Sequence, residues 1–210
     1  LVGGVPMDVE GDHYALHGGR GRQKSAFGTP ELVGLLKRGA AVVGTMVDGP
    51  PLLIGSLSAA GGGKLGRHKS HQTGRDVDVL FYVRDKDGKR RRAIGFYEFD
   101  ANGRCHSDRC RDYTFDVQRN WWLVRTLVWS KRPEVQYIFV SEPLQNLMLA
   151  YAQKRGELPE ILRRARSVMA QPGNSSPHAD HFHVRIYCSV ADRARGCRDG
   201  GPKWDWIAPR

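Results

Sequence analysis

The sequence predicts an α+β fold, on three observations. Asp76 to Val83 alternates with period two, placing Val77, Val79, Phe81 and Val83 on one face and Asp76 and Asp78 on the other. His181 to Val184 repeats the pattern, with Phe182, Val184 and Ile186 opposite His181 and His183. Between these strands lie segments with helical spacing and helix-start signals.

Taken in order, residues 1–28 are rich in glycine, charge and turn formers and read as an irregular N-terminal wrap. Thr29-Pro30-Glu31 starts a helix: Thr29 caps, Pro30 suits the first helical position, and Glu31 favours the positive end. Leu32, Leu35 and Leu36 then share a face. Gly49-Pro50-Pro51 breaks the chain, and Leu52 to Leu57 reads as a short buried strand. Gly61-Gly62-Gly63 opens a flexible loop. Residues 84–116 form a highly charged excursion, with Asp87-Gly88 as a turn signal. Tyr97-Glu98-Phe99 and Tyr113-Thr114-Phe115 suggest strands flanking a loop that Cys105 and Cys110 staple. Trp121, Val124 and Val128 predict a helix over 118–130, and Gln136 to Val140 a strand. Ser141-Glu142-Pro143 starts another helix, with Leu144, Leu147, Met148 and Tyr151 inward. A last helix covers about 159–169, and Gln171 to Pro177 is a turn-rich connection. There is no internal repeat and no domain-scale linker, so 1–210 reads as a single domain.

The 210 residues are 40% hydrophobic, enough for one well-packed core. Lys and Arg number 33 against 22 Asp and Glu, a net charge of +11. That balance favours an anionic partner: nucleic acid, a membrane surface or an acidic wall polymer. No recognition helix, zinc-finger spacing or aromatic RNA-binding motif is present, so no specific nucleic-acid partner is expected. No apolar run reaches the roughly 18–20 residues of a transmembrane helix. Leu1 is not an initiator Met and no signal peptide is visible, so the chain reads as a processed or trimmed form. The four cysteines fall into two local pairs, Cys105 with Cys110 and Cys188 with Cys197, without CxxC spacing. Short-range disulfides are the better reading, against four reduced thiols, and they imply an oxidising compartment: periplasmic or secreted.

The chemistry concentrates in two segments, His68 to Asp78 and His178 to His183, which hold five of the eight histidines. His71 precedes Asp78 by seven residues, with Gly74 permitting a turn between them. His71, Asp78 and one histidine of the His181/His183 pair make the two-His, one-carboxylate set of a hydrolytic zinc site, leaving the other histidine for proton transfer. A zinc ion lowers the pKa of water from about 15.7 to about 7, on the order of 12 kcal/mol. His68 and His178 are outer-shell donors, second-metal ligands or bystanders. Asp76 orients a ligand, binds substrate or caps the turn. Arg185 and Tyr187 continue the histidine face, either to bind a carboxylate or as plain edge-strand residues.

Ser70-His71-Gln72-Thr73-Gly74-Arg75-Asp76-Val77-Asp78 and His178-Ala179-Asp180-His181-Phe182-His183-Val184-Arg185 resemble the penicillin-insensitive murein endopeptidases. These belong to the zinc peptidase group that includes lysostaphin-type enzymes, D-Ala-D-Ala peptidases and Hedgehog domains. Phe27 to Leu32 and the spacing to Cys188 also fit, so the resemblance spans about 27–197. The bare histidine and aspartate pattern belongs to the whole group; the fuller form is specific to the endopeptidases. The resemblance implies a small, mainly antiparallel central sheet with peripheral helices. It implies zinc on His71, Asp78 and His183, and His181 as catalytic base. His178, beside that base among the catalytic residues, and His68 occupy matching family positions. The implied substrate is the peptidoglycan cross-link between D-Ala and a diamino acid. A related wall hydrolase (a D,D-carboxypeptidase or an amidase) and a non-catalytic zinc-stabilised binding module are the alternatives. Some members of that family hold a second metal through an Asp and a His in mid-chain. Here Asp116 matches the Asp, but Arg119 stands where the His is expected, so one zinc is expected.

Overall fold

The computed structural model describes residues 4–207, except Arg67, Lys69 and Asn174. The first residues of the expected wrap, Lys69 of the first motif and Asn174 of the 171–177 connection therefore lie outside the described residues.

The strands are β1 (Val5–Pro6), β2 (Glu10–Gly11), β3 (Tyr14–Leu16), β4 (Phe27–Gly28), β5 (Leu52–Ile54), β6 (Asp76–Leu80), β7 (Val83–Arg84), β8 (Arg90–Arg91), β9 (Thr114–Phe115), β10 (Val135–Phe139), β11 (Met169–Ala170) and β12 (His181–Ile186). The α-helices are α1 (Pro30–Met46), α2 (Val117–Trp129), α3 (Glu142–Lys154), α4 (Pro159–Val168) and α5 (Val190–Ala194). A seven-stranded sheet runs β11-β10-β12-β6-β5-β3-β2. Only β10–β11 and β3–β5 pair in parallel; the other four ladders are antiparallel. The expected mainly antiparallel α+β architecture is what forms.

The first helix starts where its cap predicts. The Thr29 hydroxyl accepts a hydrogen bond from the Leu32 N–H at 3.3 Å, with Pro30 in the first turn. Leu32, Leu35, Leu36, Ala40 and Val43 bury one face of α1. Gly39 lets α2 come close, since a Cβ there would sit 3.3 Å from Leu123. Asp116 caps α2 by accepting from the Arg119 N–H.

The sheet turns one face to the core. Phe182, Val184 and Val77 are fully buried there with Val79, and Phe81 meets Phe182 edge-on at 4.7 Å. Burying a side chain such as Phe182 contributes about 1.5–3 kcal/mol. That anchorage fixes the register of β6 on β12, because a slip of one residue would turn the apolar row of the slipped strand outward. In the observed register Asp78 faces His183, Asp76 faces Arg185 and Leu80 faces His181.

Several boundaries differ from expectation. The 76–83 alternation is one strand only to Leu80; Val83 enters a separate three-stranded sheet, β8-β7-β9. This small sheet organises the charged excursion, and the Asp87-Gly88 turn joins β7 to β8, with Gly88 at φ 77°. Leu52 to Leu57 is buried as expected, but the regular strand is only Leu52–Ile54; beyond it the chain stays bonded to β6, the Gly55 N–H donating to the Asp78 carbonyl and the Ser56 carbonyl accepting from the Asp78 N–H. Tyr97–Phe99 makes a single bridge, Phe99 to Cys105, and no strand. The N-terminal wrap is not irregular throughout, since β3 is buried beside β5 and joins the main sheet. The 159–169 helix ends at Val168, Met169 entering β11, and α5 follows β12 as a further short helix. Both disulfides form, Cys105–Cys110 and Cys188–Cys197.

Candidate metal centre

The site lies on the other face of β6 and β12. Asp78 comes from mid-β6, His181 and His183 from alternate positions of β12, and His71 from the loop before β6. Gly74, at φ 76°, turns that loop back into the strand. Its carbonyl accepts from Thr29 N–H and its N–H donates to the Ser58 hydroxyl, which ties the loop to the start of α1.

Three imidazole nitrogens converge on one oxygen. Asp78 Oδ1 lies 3.0 Å from His183 Nδ1, 3.1 Å from His71 Nε2 and 3.3 Å from His181 Nε2. The outer nitrogen of each ring is committed to a partner that can only accept. His71 Nδ1 donates to the Leu57 carbonyl at 2.7 Å. His183 Nε2 donates to Asp76 Oδ1 at 3.0 Å, and His181 Nδ1 to Asp180 Oδ1 at 2.7 Å. With those tautomers fixed, each neutral ring turns a lone pair inward, onto a carboxylate. Lone pairs facing lone pairs repel, so the arrangement calls for positive charge at its centre. Ligand atoms around a tetrahedral zinc with 2.0–2.2 Å bonds lie about 3.4 Å apart, close to what these residues present. The donor set therefore fits a metal ion.

The electrostatics follow from that convergence. Burial pushes the Asp78 carboxyl up, but hydrogen bonds from His181, His183 and His71 outweigh it and hold it well below the usual carboxylate range. Burial also opposes charge on His181, yet Asp180 and Asp78 raise it to about 9. His183 is raised by Asp76 and Asp78 against its own desolvation. His178 moves the other way, lowered by burial and by His181. These directions hold where protons supply the positive charge; a metal ion would take their place.

Around this centre the structure gathers His68, His178, Asp76 and Arg185 with the four converging residues, while Asp116 and Tyr187 lie outside it. His68 packs on the His71 ring at 4.4 Å, and its Nδ1 lies 3.8 Å from Asp78 Oδ2. His68, His71 and Asp78 form one ligand-competent group, and His178, His181 and His183 a second. His178 is the one described non-glycine residue at positive φ, 57°. Its carbonyl accepts from the Ser141 N–H, and its ring sits 5.0 Å from His181. Asp76 is fully buried and serves His183 and Arg185 together, the Arg185 Nε at 2.8 Å. Arg185 thus supports an outer carboxylate. Tyr187 lies beyond, its hydroxyl donating to the Pro202 carbonyl.

Asp116 is held elsewhere. Its two oxygens are bound by Arg84 and Arg90, and Arg119 lies over the Tyr82 ring at 3.9 Å. Two guanidinium groups pair with the one carboxylate, and Asp116 belongs to neither ligand-competent group.

Sequence reasoning passed over Asp180, the Leu57 carbonyl and Phe96, whose ring meets His181 edge-on at 5.2 Å. Asp180 stood inside the second motif and was open to notice as the neighbour of His181. The other two gave no local signal.

A family model described as penicillin-insensitive murein endopeptidase matches residues 1–203. Penicillin-insensitive murein endopeptidases of two Escherichia coli O157:H7 strains are 36% identical over 201 residues, covering 90% of this chain and 63% of each relative. One from Citrobacter koseri is 38% identical over 84 residues, 40% of this chain and 30% of that protein. The chain thus spans somewhat under two thirds of the length of the first relatives it matches.

Proposed function

The chain belongs to the penicillin-insensitive murein endopeptidase family, and we propose that it is a zinc-dependent endopeptidase that hydrolyses the D-Ala–diamino acid cross-links of peptidoglycan. The observation that carries this reading is the convergence of three imidazoles, their outer N–H groups all committed, on the buried Asp78 carboxylate. Nitrogen ligands with one carboxylate suit zinc.

His71, Asp78 and His183 would hold the ion. His183 is the better ligand of the β12 pair because it is buried and locked by Asp76. His181 keeps 15% of its side chain exposed and has a longer contact to Asp78, which suits proton transfer. A bound zinc supplies Lewis-acid polarisation of a carbonyl and makes water acidic enough to ionise near neutral pH. The protein's own part is to hold and move the proton. His181 Nε2 takes it while Nδ1 stays hydrogen-bonded to Asp180, whose carboxylate stabilises the imidazolium. The same nitrogen then delivers the proton to the leaving amine. His178 and His68 flank the proton-transfer and ligand groups. Asp116, neutralised by arginines, is outside the proposed machinery, in keeping with one zinc.

Two disulfides support an oxidising compartment, periplasmic or extracellular. Among the described residues no helix is long and apolar enough to cross a membrane. The +11 charge suits a wall polymer carrying carboxylates.

The test is incubation of zinc-loaded protein with cross-linked muropeptide dimers, with and without chelator, and identification of products by mass. Chelator-sensitive conversion of dimer to monomer is expected. Release of free D-Ala would instead mean a carboxypeptidase, and separation of stem from glycan an amidase. Intact dimers from a protein shown to contain zinc would point to a metal-stabilised binding module.

A further inference from the structure

The charged excursion does more than decorate the surface. After β8 the chain runs back over the site face of the sheet, carrying Ala93 and Phe96 onto a small apolar cluster of Ala15, Leu53 and Leu80. Leu80 is the residue opposite His181 in the β6–β12 ladder. The Phe96 ring stands edge-on to His181 at 5.2 Å and 84°. On its other side it meets His17, also edge-on, at 5.6 Å and 81°. Gly55 gives the ring its room, since a Cβ at that position would lie 2.8 Å from Phe96 Cζ. The arm is fastened further on by Phe99, whose N–H donates to the Ala179 carbonyl two residues before His181.

His181 is therefore held from several sides. Asp180 fixes Nδ1, His178 lies against the ring, and Phe96 meets it edge-on. An imidazole held by one hydrogen bond can still swing about its Cα–Cβ and Cβ–Cγ bonds; a rigid ring on its flank removes that freedom. We propose that Phe96 is a positioning residue, by which the 84–116 excursion orients the His181 imidazole toward the metal centre. This rests on the proton-transfer role proposed for His181. A misplacement on the order of 1 Å at a reacting group costs about 100-fold in rate, which sets the size of the expected effect.

The experiment compares wild type, Phe96→Ala, Phe96→Leu and His17→Ala, all zinc-loaded, on cross-linked muropeptide dimers. Histidine-labelled samples are followed in parallel by NMR of the His181 ring. In Phe96→Ala, kcat should fall about 10- to 100-fold, with KM within about threefold and zinc content unchanged. Its His181 resonances should shift and broaden. Phe96→Leu, which refills the volume, should recover most of the rate. His17→Ala should move kcat the same way by less. The proposal is overturned by a Phe96→Ala kcat within twofold of wild type, by a loss confined to KM, or by an unchanged His181 ring. Should Phe96→Ala fail to fold, His17→Ala carries the comparison, and an unchanged kcat together with an unchanged His181 ring in that variant overturns the proposal. Uncut dimers with the wild type would sink the endopeptidase reading instead, and the NMR comparison then decides the contact alone.

Discussion

Replacing Asp76 with asparagine isolates the outer carboxylate from the ligands it serves. Asp76 is fully buried, and its Oδ1 accepts from His183 Nε2 at 3.0 Å and from Arg185 Nε at 2.8 Å. Asparagine keeps the volume but removes the charge from both hydrogen bonds. It can also present an amide N–H to His183 Nε2, favouring the tautomer whose proton sits on Nδ1, where a metal would bind. Removing such outer partners typically weakens metal binding 10- to 100-fold, or about 1.4–2.7 kcal/mol. A second cost falls on folding, because the Arg185 guanidinium loses its carboxylate. Breaking a fully buried pair costs about 3–5 kcal/mol, and the quarter of Arg185 left in water brings this to roughly 2–3 kcal/mol. Zinc affinity is measured by competition with a chromophoric chelator at fixed pH, and stability by thermal melts of metal-free and zinc-loaded protein. Expected are a 10- to 100-fold higher Kd and a smaller gain in melting temperature on adding zinc. A folded variant that binds zinc within about twofold of wild type would refute the argument. It would mean that His183 is not a ligand, or that its ring is set by something other than Asp76, such as the Ser70 hydroxyl 3.4 Å away.

Three further outcomes follow from the same geometry. His181→Ala should keep its zinc but lose about 10²–10⁴-fold in kcat, whereas His183→Ala should fail to retain the metal; metal analysis beside turnover separates the two. Serine at both Cys188 and Cys197 opens a loop of nine residues' separation and should lower stability by about 2–3 kcal/mol, read from denaturant unfolding. Leu123→Ala, at the fully buried crossing of α2 with Gly39 of α1, should cost about 2–5 kcal/mol while leaving zinc affinity unchanged in the protein that remains folded.

What the sequence disclosed depended on how far apart the cooperating residues stand. His181 and His183 are two apart on a strand whose other side is apolar, so their common face was evident. Asp76 and Asp78 shared a face by the same rule. Each strand carried its own register signal in its own apolar row, and the pairing of Asp78 with His183 is what results when both rows enter one core. The alternation overran at Leu80 because period two continues through Phe81 and Val83 although the hydrogen bonds change sheets there. Asp116 could be aligned with an expected ligand, but only the folded chain shows Arg84 and Arg90, more than 20 residues away, closing on it.

Phe96 marks the limit of such reading. Its meaning depends on a missing Cβ at Gly55, on His17 behind it and on a strand that begins 85 residues later at His181. No periodicity links those positions. The ligands can be read locally because metal chemistry restricts which residue types can serve and how closely they must approach. A wall requires only that some side chain fill the space, which many sequences satisfy. The excursion's local sequence is accordingly uninformative about its role, although the fold lays it against the proposed base. Differences in activity among chains sharing these ligands should therefore map to segments like 92–99, where packing alone sets the orientation of the groups that move the proton.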